Sequence, residues 1–352
     1  MPNNKKVKPG YKAKVKREEK AKQAEKRPYF ASKNKVKPSS FSQKPKPTAK
    51  EKKAKKQEVS QGASNAREVA KIIQWFPGHM TKAFREIQES IKLVDIVLEL
   101  CDARIPQSSR NPKIAEIVGN KPLITIMNKC SLSDPEQNEK WKKRFIDDGK
   151  KVIFTDCITG AGIDEIVPAI RSALREKIQA NQNKGMFVLP RVMIIGVTNC
   201  GKSTLINRLY GSKKAKSENR PGVTRIQQWV RVEDKVELLD TPGVLWPKFD
   251  DEKVGLNLAY TGAIRDEILD IESIAVLLCS KLMNDYESLM FSRYKLSRED
   301  VTDKMPHEIF EAIGRKRGFL ISGGDIDYLR TARILLDEFR GGTIGRITLD
   351  KI

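Results

Sequence analysis

The feature that most constrains this chain is a glycine-rich loop between a short apolar run and a helical pattern. Residues 196–203 read GVTNCGKS and match the phosphate-binding pattern G-x-x-x-x-G-K-[ST]. The apolar residues 192–195 predict a buried strand before the loop, and residues 202–209 predict a helix after it. This order directs backbone N–H groups and a helix N-terminus toward a phosphate. The loop is therefore expected to bind a nucleoside phosphate.

Two further motifs are those of a GTP-binding protein, but their order is altered. Residues 240–243 read DTPG after another apolar run, whereas residues 128–129 read NK, the start of the guanine-recognition pattern NKxD, and precede the glycine-rich loop. In an ordinary GTPase the guanine loop follows the phosphate loop. The present order arises if the old termini are joined and new ones are cut elsewhere, which compact domains tolerate because their ends lie at the surface. We predict a circularly permuted P-loop GTPase fold of the α/β class.

Apolar runs alternate with helical patterns through the predicted GTPase region. Strands are predicted at residues 93–100, 122–127, 152–154, 192–195, 226–232 and 236–239, the last two as a hairpin. Such alternation predicts a doubly wound, mostly parallel sheet. Ligands bind such sheets at the carboxyl ends of the strands, where the proposed nucleotide loops begin. One helix is predicted over residues 163–180, and two more over residues 271–283 and 328–339.

Charge divides the chain unevenly. The whole chain has 67 Lys and Arg and 45 Asp and Glu, a net charge of +22. Residues 1–70 contain 22 of the cationic and 6 of the anionic residues, so they carry a net charge of +16 (22 − 6). We predict a disordered basic arm there that binds RNA by neutralising phosphates; a solubilising tail and binding to an anionic membrane surface are alternatives. A GTPase domain is predicted over residues 71–270 and a small all-α, RNA-binding domain over 271–352, whose cations form either an RNA contact or a solvated face.

The cysteines and the apolar runs suggest a compartment. The five cysteines are odd in number and form no C-x-x-C pair, which argues against a zinc site or a disulfide framework and favours a reducing cytosol. No stretch of about 18 apolar residues exists that could span a membrane. We therefore predict a cytoplasmic protein without a membrane partner, and we separately expect a monomer.

The phosphate side of the predicted site follows from the chemistry of triphosphates. Lys202 is expected to reach the β- and γ-phosphates, and the Gly243 N–H to meet the γ-phosphate. Ser203 and Asp240 are predicted Mg²⁺ ligands, and Thr224 is predicted to complete the metal site when the γ-phosphate is present. The predicted phosphate-side residues are Asn199, Cys200, Gly201, Lys202, Ser203, Thr204, Thr224 and Gly243.

The guanine side departs from the usual pattern. The Asp of NKxD accepts hydrogen bonds from guanine N1–H and the 2-amino group, but Ser131 occupies its position here. We expect a weaker guanine preference, by about 1–3 kcal/mol, unless Asp134 substitutes through an unusual bend of the loop. A backbone N–H at residues 156–157 is expected to meet guanine O6. The predicted base-side residues are Asn128, Lys129, Ser131, Asp156 and Cys157.

The hydrolytic machinery also lacks a usual component. Many GTPases place a Gln after the Asp-x-x-Gly motif to orient the attacking water, but this chain has Val244. Valine cannot hydrogen-bond water, so intrinsic hydrolysis should be slow and another group must position the water. Asn199 is a candidate for holding a potassium ion beside the phosphates. His79, one of two histidines, taken alone is typical of an ordinary core or surface residue.

Together these motifs resemble the RbgA/YlqF family of circularly permuted ribosome-assembly GTPases. The resemblance covers residues 71–352 and leaves the basic arm outside. Besides the phosphate loop, the matching motifs are WFPGHM at 75–80, DARIP at 102–106, SRNP at 109–112, PGVT at 221–224, DTPGV at 240–244 and FRGG at 339–342, with Gly345 and Arg346.

The resemblance implies GTP hydrolysis during late maturation of the large ribosomal subunit, in bacteria or an organelle. Its implied partners are the subunit precursor, rRNA and GTP or GDP, with release on hydrolysis. It further implies a catalytic role for His79, a hydrophobic residue at Val244 and potassium-stimulated hydrolysis through Asn199. The chain departs from the family at Ser131 and Thr198. The alternative function is a non-catalytic or base-unselective RNA-binding scaffold with a degenerate nucleotide site.

Overall fold

The computed structural model of the protein describes residues 85–211, 228–232, 235–241, 243, 245, 249 and 251–352. The predicted arm over residues 1–70 lies outside the described residues, as do His79, Thr224 and Val244. Asp240 is described through its backbone, at the end of a strand.

A six-stranded, doubly wound sheet forms the centre of the described part of the chain. Its order is β3-β2-β1-β4-β6-β5, and every neighbouring pair is parallel except β5 with β6. This confirms the predicted α/β class and mostly parallel sheet, with the hairpin at one edge. The strands are β1 (Ile96–Asp102), β2 (Leu123–Asn128), β3 (Lys151–Phe154), β4 (Arg191–Gly196), β5 (Gln228–Val232) and β6 (Val236–Asp240).

Aspartates start several of the helices that flank the sheet, because a carboxylate accepts hydrogen bonds from the free N–H groups of the first turn. Asp134, Asp251, Asp270 and Asp327 do so, and Pro135 occupies the first turn of its helix. None of the described helices is long and apolar enough to cross a bilayer. The helices are α1 (Lys113–Val118), α2 (Pro135–Asp147), α3 (Ile166–Ala173), α4 (Arg175–Asn183), α5 (Lys202–Tyr210), α6 (Glu252–Tyr260), α7 (Ile271–Tyr294), α8 (Pro306–Lys316) and α9 (Tyr328–Arg340).

Some predicted boundaries were wrong. The strand expected from residue 93 begins at Ile96, because Ile91–Leu93 form a 3-10 turn. The helix expected over residues 163–180 is divided at Leu174, whose φ of −108° and ψ of 16° separate α3 from α4. Whereas α3 buries two isoleucines, α4 has no buried residue, so packing does not hold the two segments in one continuous helix.

Helix α7 extends well beyond the predicted residue 283 and contains a kink at Tyr286. Helices α1, α2, α6 and α8 were not predicted.

Apolar side chains of the central strands fill both faces of the sheet. Along β1, Ile96, Leu98 and Leu100 join the largest buried cluster, whereas Val97 joins a second cluster on the other face. This alternation is the two-residue period of a strand covered on both sides. The largest cluster also takes in apolar residues of α3 and α5 through α9, as well as Ile347 near the chain end. A domain boundary at residue 270 remains a prediction.

Candidate nucleotide-binding site

The phosphate loop joins β4 to α5 and is pressed against the neighbouring strands. A Cβ on Gly196 would lie 2.2 Å from the Leu100 carbonyl oxygen, so only glycine permits this approach to β1. Gly201 has a φ of +103°, and a Cβ there would lie 2.4 Å from Asn128 Nδ2 at the end of β2. Both glycines of the motif are therefore required by contacts, and Gly201 is also required by its left-handed backbone conformation.

Lys202 lies inside this loop. Its side chain is buried, and Nζ donates to the carbonyl oxygens of Gly196 at 3.0 Å and Val197 at 2.7 Å. Gly243 of the DTPG motif lies close to the same group, since a Cβ on it would lie 2.9 Å from Lys202 Nζ and 2.9 Å from Thr198 Cα. The structure thus brings the phosphate loop and the DTPG glycine together around one ammonium group.

Two of the three expected Mg²⁺ ligands, Ser203 and Asp240, lie at the ends of neighbouring elements, namely the start of α5 and the end of β6. Ser203 is partly buried and Thr204 exposed in the first turn of α5. Asp240 ends β6, where its backbone pairs with Ile194 of β4, and the Thr241 hydroxyl donates to the Ile194 carbonyl at 2.6 Å. No group of three or more His, Cys, Asp or Glu side chains in the described part of the chain could hold a metal alone. One hydroxyl and one carboxylate suit Mg²⁺, which keeps waters and shares phosphate oxygens.

Asn128 connects the base loops, which follow β2 and β3 and carry the predicted guanine-binding residues, to the phosphate loop after β4. It is buried at the end of β2, where Nδ2 donates to the Cys200 carbonyl at 2.8 Å and Oδ1 accepts from the Cys157 N–H at 3.1 Å. One carboxamide therefore fixes three loops, each following a different parallel strand. The predicted convergence of Asn128 with the loop of Lys202 is present in the structure.

Lys129 makes a second link between the loops. Its Nζ donates to the Asn199 carbonyl at 2.8 Å and to Asp102 Oδ2 at 3.0 Å. Burial alone would raise the pKa of Asp102, but the Arg104 and Lys129 cations overcome it and hold that pKa well below its usual range. Outside the family motif, the sequence reasoning gave Asp102 no role, although its place at a strand's carboxyl end was a usable signal.

Ser131 lies against a carboxylate that the neighbouring loop provides. Its hydroxyl donates to Asp156 Oδ2, and Asp156 Oδ1 accepts from the N–H groups of Ile158 at 2.8 Å and Thr159 at 2.9 Å. Burial favours a raised pKa for Asp156, but these hydrogen bonds lower it below the usual value. Asp134, the alternative carboxylate considered above, instead caps α2 and accepts from the Tyr286 hydroxyl at 3.1 Å.

The C-terminal segment contacts the base loop, which the sequence analysis did not foresee. Arg346 donates to the carbonyl oxygens of Ser133 at 2.9 Å and Cys130 at 3.0 Å. The Ile347 N–H donates to the Leu132 carbonyl at 2.9 Å. The loop that carries Ser131 is therefore held on one side by the end of the chain.

The connection between α6 and α7 contacts the phosphate loop. Asn199 Nδ2 donates to the Gly262 carbonyl at 2.6 Å, and the Thr198 hydroxyl donates to the Ala263 carbonyl. Because the Asn199 contact uses the amide nitrogen, the carboxamide oxygen is the atom chemically suited to a cation.

Comparison with known proteins identifies the family. Residues 191–299 match a family model described as 50S ribosome-binding GTPase. The chain is 48% identical to Ribosome biogenesis GTPase A of Priestia megaterium, over 79% of this chain and 96% of that protein. The chain belongs to the ribosome biogenesis GTPase A family, also named RbgA/YlqF. It is also 32% identical to Mitochondrial ribosome-associated GTPase 1 of Bos taurus, over 80% of this chain and 89% of that protein.

Solved structures extend this family relationship to the fold. The GNP-bound YlqF from T. maritima has a TM-score of 0.54 and 26% identity, over 77% of this chain and 98% of that chain. The GDP-bound TM YlqF has a TM-score of 0.51 at the same 26% identity, over 76% and 98%. The fold of this RbgA/YlqF family member is therefore the circularly permuted GTPase fold, as predicted.

Proposed function

We propose that this protein is a GTP-hydrolysing ribosome biogenesis factor that acts late in assembly of the large ribosomal subunit. It binds the subunit precursor through rRNA, works as a cytoplasmic monomer and leaves when GTP is hydrolysed. The observation that carries the proposal is the Asn128 carboxamide, hydrogen-bonded to Cys200 in the phosphate loop and to Cys157 in a base loop. The relatives' names, which refer to ribosome biogenesis and to mitochondrial ribosomes, support the partner.

Binding of the triphosphate follows from the phosphate loop. The Lys202 ammonium is already within the loop, and phosphate oxygens can take the places of the Gly196 and Val197 carbonyls as its acceptors. The backbone N–H groups at the start of α5 add the positive end of the helix dipole. The proximity of Gly243 to Lys202 supports the proposal that the DTPG backbone responds to the γ-phosphate.

Ser203, Thr224 and Asp240 are the proposed protein ligands of Mg²⁺, and the Asn199 carboxamide oxygen is a proposed ligand of K⁺. Metal ions held by these residues would supply positive charge that stabilises the charge developing on the phosphate oxygens during hydrolysis. Val244 offers the attacking water no hydrogen bond, so His79 is proposed to orient it once rRNA has brought that segment into place. Hydrolysis is therefore expected to be slow without the ribosomal particle.

The test is GTPase activity measured with and without large-subunit precursor particles, in potassium and in sodium buffers. We expect particles and potassium each to raise the turnover rate, and Lys202→Ala to abolish the particle-dependent rate. Absence of stimulation by particles contradicts the proposed coupling. The scaffold alternative predicts weak binding of guanine nucleotides, so tight GDP binding contradicts it.

A further inference from the structure

The predicted guanine-recognition loop has a serine in place of the usual aspartate, and a neighbouring loop supplies a carboxylate beside it. Ser131 stands where NKxD has a carboxylate, and Asp156 in the adjacent loop brings a carboxylate to the Ser131 hydroxyl. The backbones hold this arrangement, because the Cys130 N–H donates to the Thr155 carbonyl at 3.0 Å immediately beside the pair. Ser131 is partly exposed, whereas Asp156 is 3% exposed and lies behind it.

The hydrogen bond determines what Ser131 can offer a ligand. A serine hydroxyl has one proton and two lone pairs. Since the proton is donated to Asp156, the oxygen can only accept hydrogen bonds from any other group. Asp156 cannot rotate away easily, because its second oxygen accepts from the N–H groups of Ile158 and Thr159. The pair is therefore a fixed acceptor with a carboxylate behind it.

We propose that Ser131 and Asp156 together form the guanine-selecting acceptor of this site. The Ser131 oxygen accepts a hydrogen bond from guanine N1–H or the 2-amino group, and Asp156 is the positioning residue that directs the hydroxyl proton away from the base. Adenine presents the unprotonated N1 at the corresponding edge, so lone pairs would face each other and binding weakens. This inference rests on the proposed function, because it assigns base selection within the same nucleotide site.

The neighbouring carboxylate of Asp134 does not serve in this role. Its oxygens accept from the Glu136 N–H at 2.9 Å and from the Tyr286 hydroxyl at 3.1 Å, which tie it to α2 and α7. Asp134 therefore provides a matched control, since it lies three residues after Ser131 and has the same side chain as Asp156.

The experiment measures the dissociation constants of GDP, XDP and ADP by calorimetry for the full chain and its variants. In Asp156→Asn the remaining oxygen can still accept from Ile158 and Thr159, while the new amide donates to Ser131. The hydroxyl proton then turns toward the base. We expect the preference for GDP over XDP and over ADP to fall about 10- to 100-fold, the range for a buried hydrogen-bonding group that is left unsatisfied. Asp134→Asn should leave both preferences unchanged.

A reciprocal exchange keeps the inference testable if Asp156→Asn folds poorly. Ser131→Asp alone places two carboxylates together and should weaken GDP binding, whereas adding Asp156→Ser should restore it. Unchanged preferences in a folded Asp156→Asn, or an exchange that does not restore binding, overturn the inference and leave the proposed function intact. A wild-type chain that binds none of the three nucleotides overturns both, and one that binds ADP as tightly as GDP overturns the selectivity inference.

Discussion

The buried pair of Arg104 and Asp102 gives a sharp prediction about stability. Arg104 is 1% exposed, and its Nε and Nη2 donate to the Asp102 carboxylate at 3.0 and 2.8 Å. Its Nη1 donates to the Arg340 carbonyl at 3.1 Å, at the C-terminus of α9, and the guanidinium carbon lies 5.3 Å from the centre of the Phe339 ring. Arg104→Met leaves Asp102 buried with Lys129 as its remaining cation. We expect a loss of about 3–5 kcal/mol in unfolding free energy.

A double-mutant cycle measured by urea unfolding tests this reasoning. Asp102→Asn should also destabilise, because it leaves the Arg104 charge buried without its carboxylate. The double variant Asp102→Asn, Arg104→Met removes both charges, so it should cost about 1–3 kcal/mol less than the sum of the single changes.

An exposed pair provides the control for the same type of substitution. Arg298 Nη1 lies 2.6 Å from Glu287 Oε1, with the two side chains 74% and 42% exposed. Arg298→Met should therefore cost less than about 1 kcal/mol. If Arg104→Met costs no more than this control, or if the cycle is additive, the pair does not support the connection between β1 and α9.

Three other predictions address acid stability, phosphate binding and the chain end. Folding lowers the pKa of Asp102, so its charge stabilises the fold above the ordinary Asp pKa near 4, and this stabilisation is lost as the pH falls. The wild-type chain should therefore lose more unfolding free energy than Asp102→Asn between about pH 4 and 2. Urea titrations at several pH values measure this difference. Gly243→Ala places a Cβ 2.9 Å from Lys202 Nζ, and calorimetry should detect a loss of GTP affinity of about tenfold or more, with a smaller loss for GDP. The Asp350 carboxylate accepts hydrogen bonds from the Ser108 N–H at 2.7 Å and from the Ser108 hydroxyl at 2.8 Å. Asp350→Ala should therefore lower the unfolding free energy by about 2–4 kcal/mol, which a lower urea midpoint would report. A midpoint within error of wild type would contradict the last prediction.

The sheet and the phosphate loop were predictable because their determinants are local. Short apolar runs ending at polar loops located the six strands of the described residues to within a few positions. The motif glycines Gly196 and Gly201 carry information about distant contacts in a local pattern, since each is required by the close approach of another strand. The glycine pattern can therefore identify the phosphate loop and also predict that it lies at the carboxyl ends of the strands.

The polar connections could not be predicted because their partners are far apart in sequence. Asp350 and Ser108 are 242 residues apart, and no periodicity or spacing relates them. The pairing of Ser131 with Asp156 was equally hidden, since a missing NKxD carboxylate suggests loss of recognition until the neighbouring loop is seen. The sequence located both loops but assigned Asp156 only a backbone contact.

In this circularly permuted chain, the region that follows the DTPG motif contacts both the phosphate loop and the base loop. After the DTPG motif the chain continues into α6, and the following connection accepts hydrogen bonds from Asn199 and Thr198 in the phosphate loop. The same chain then returns through α9 to contact the base loop with Arg346 and Ile347. The region after the motif therefore contacts both halves of the candidate nucleotide site. If nucleotide binding alters these contacts, then by reciprocity a partner that binds and shifts the C-terminal segment alters nucleotide affinity by the same factor.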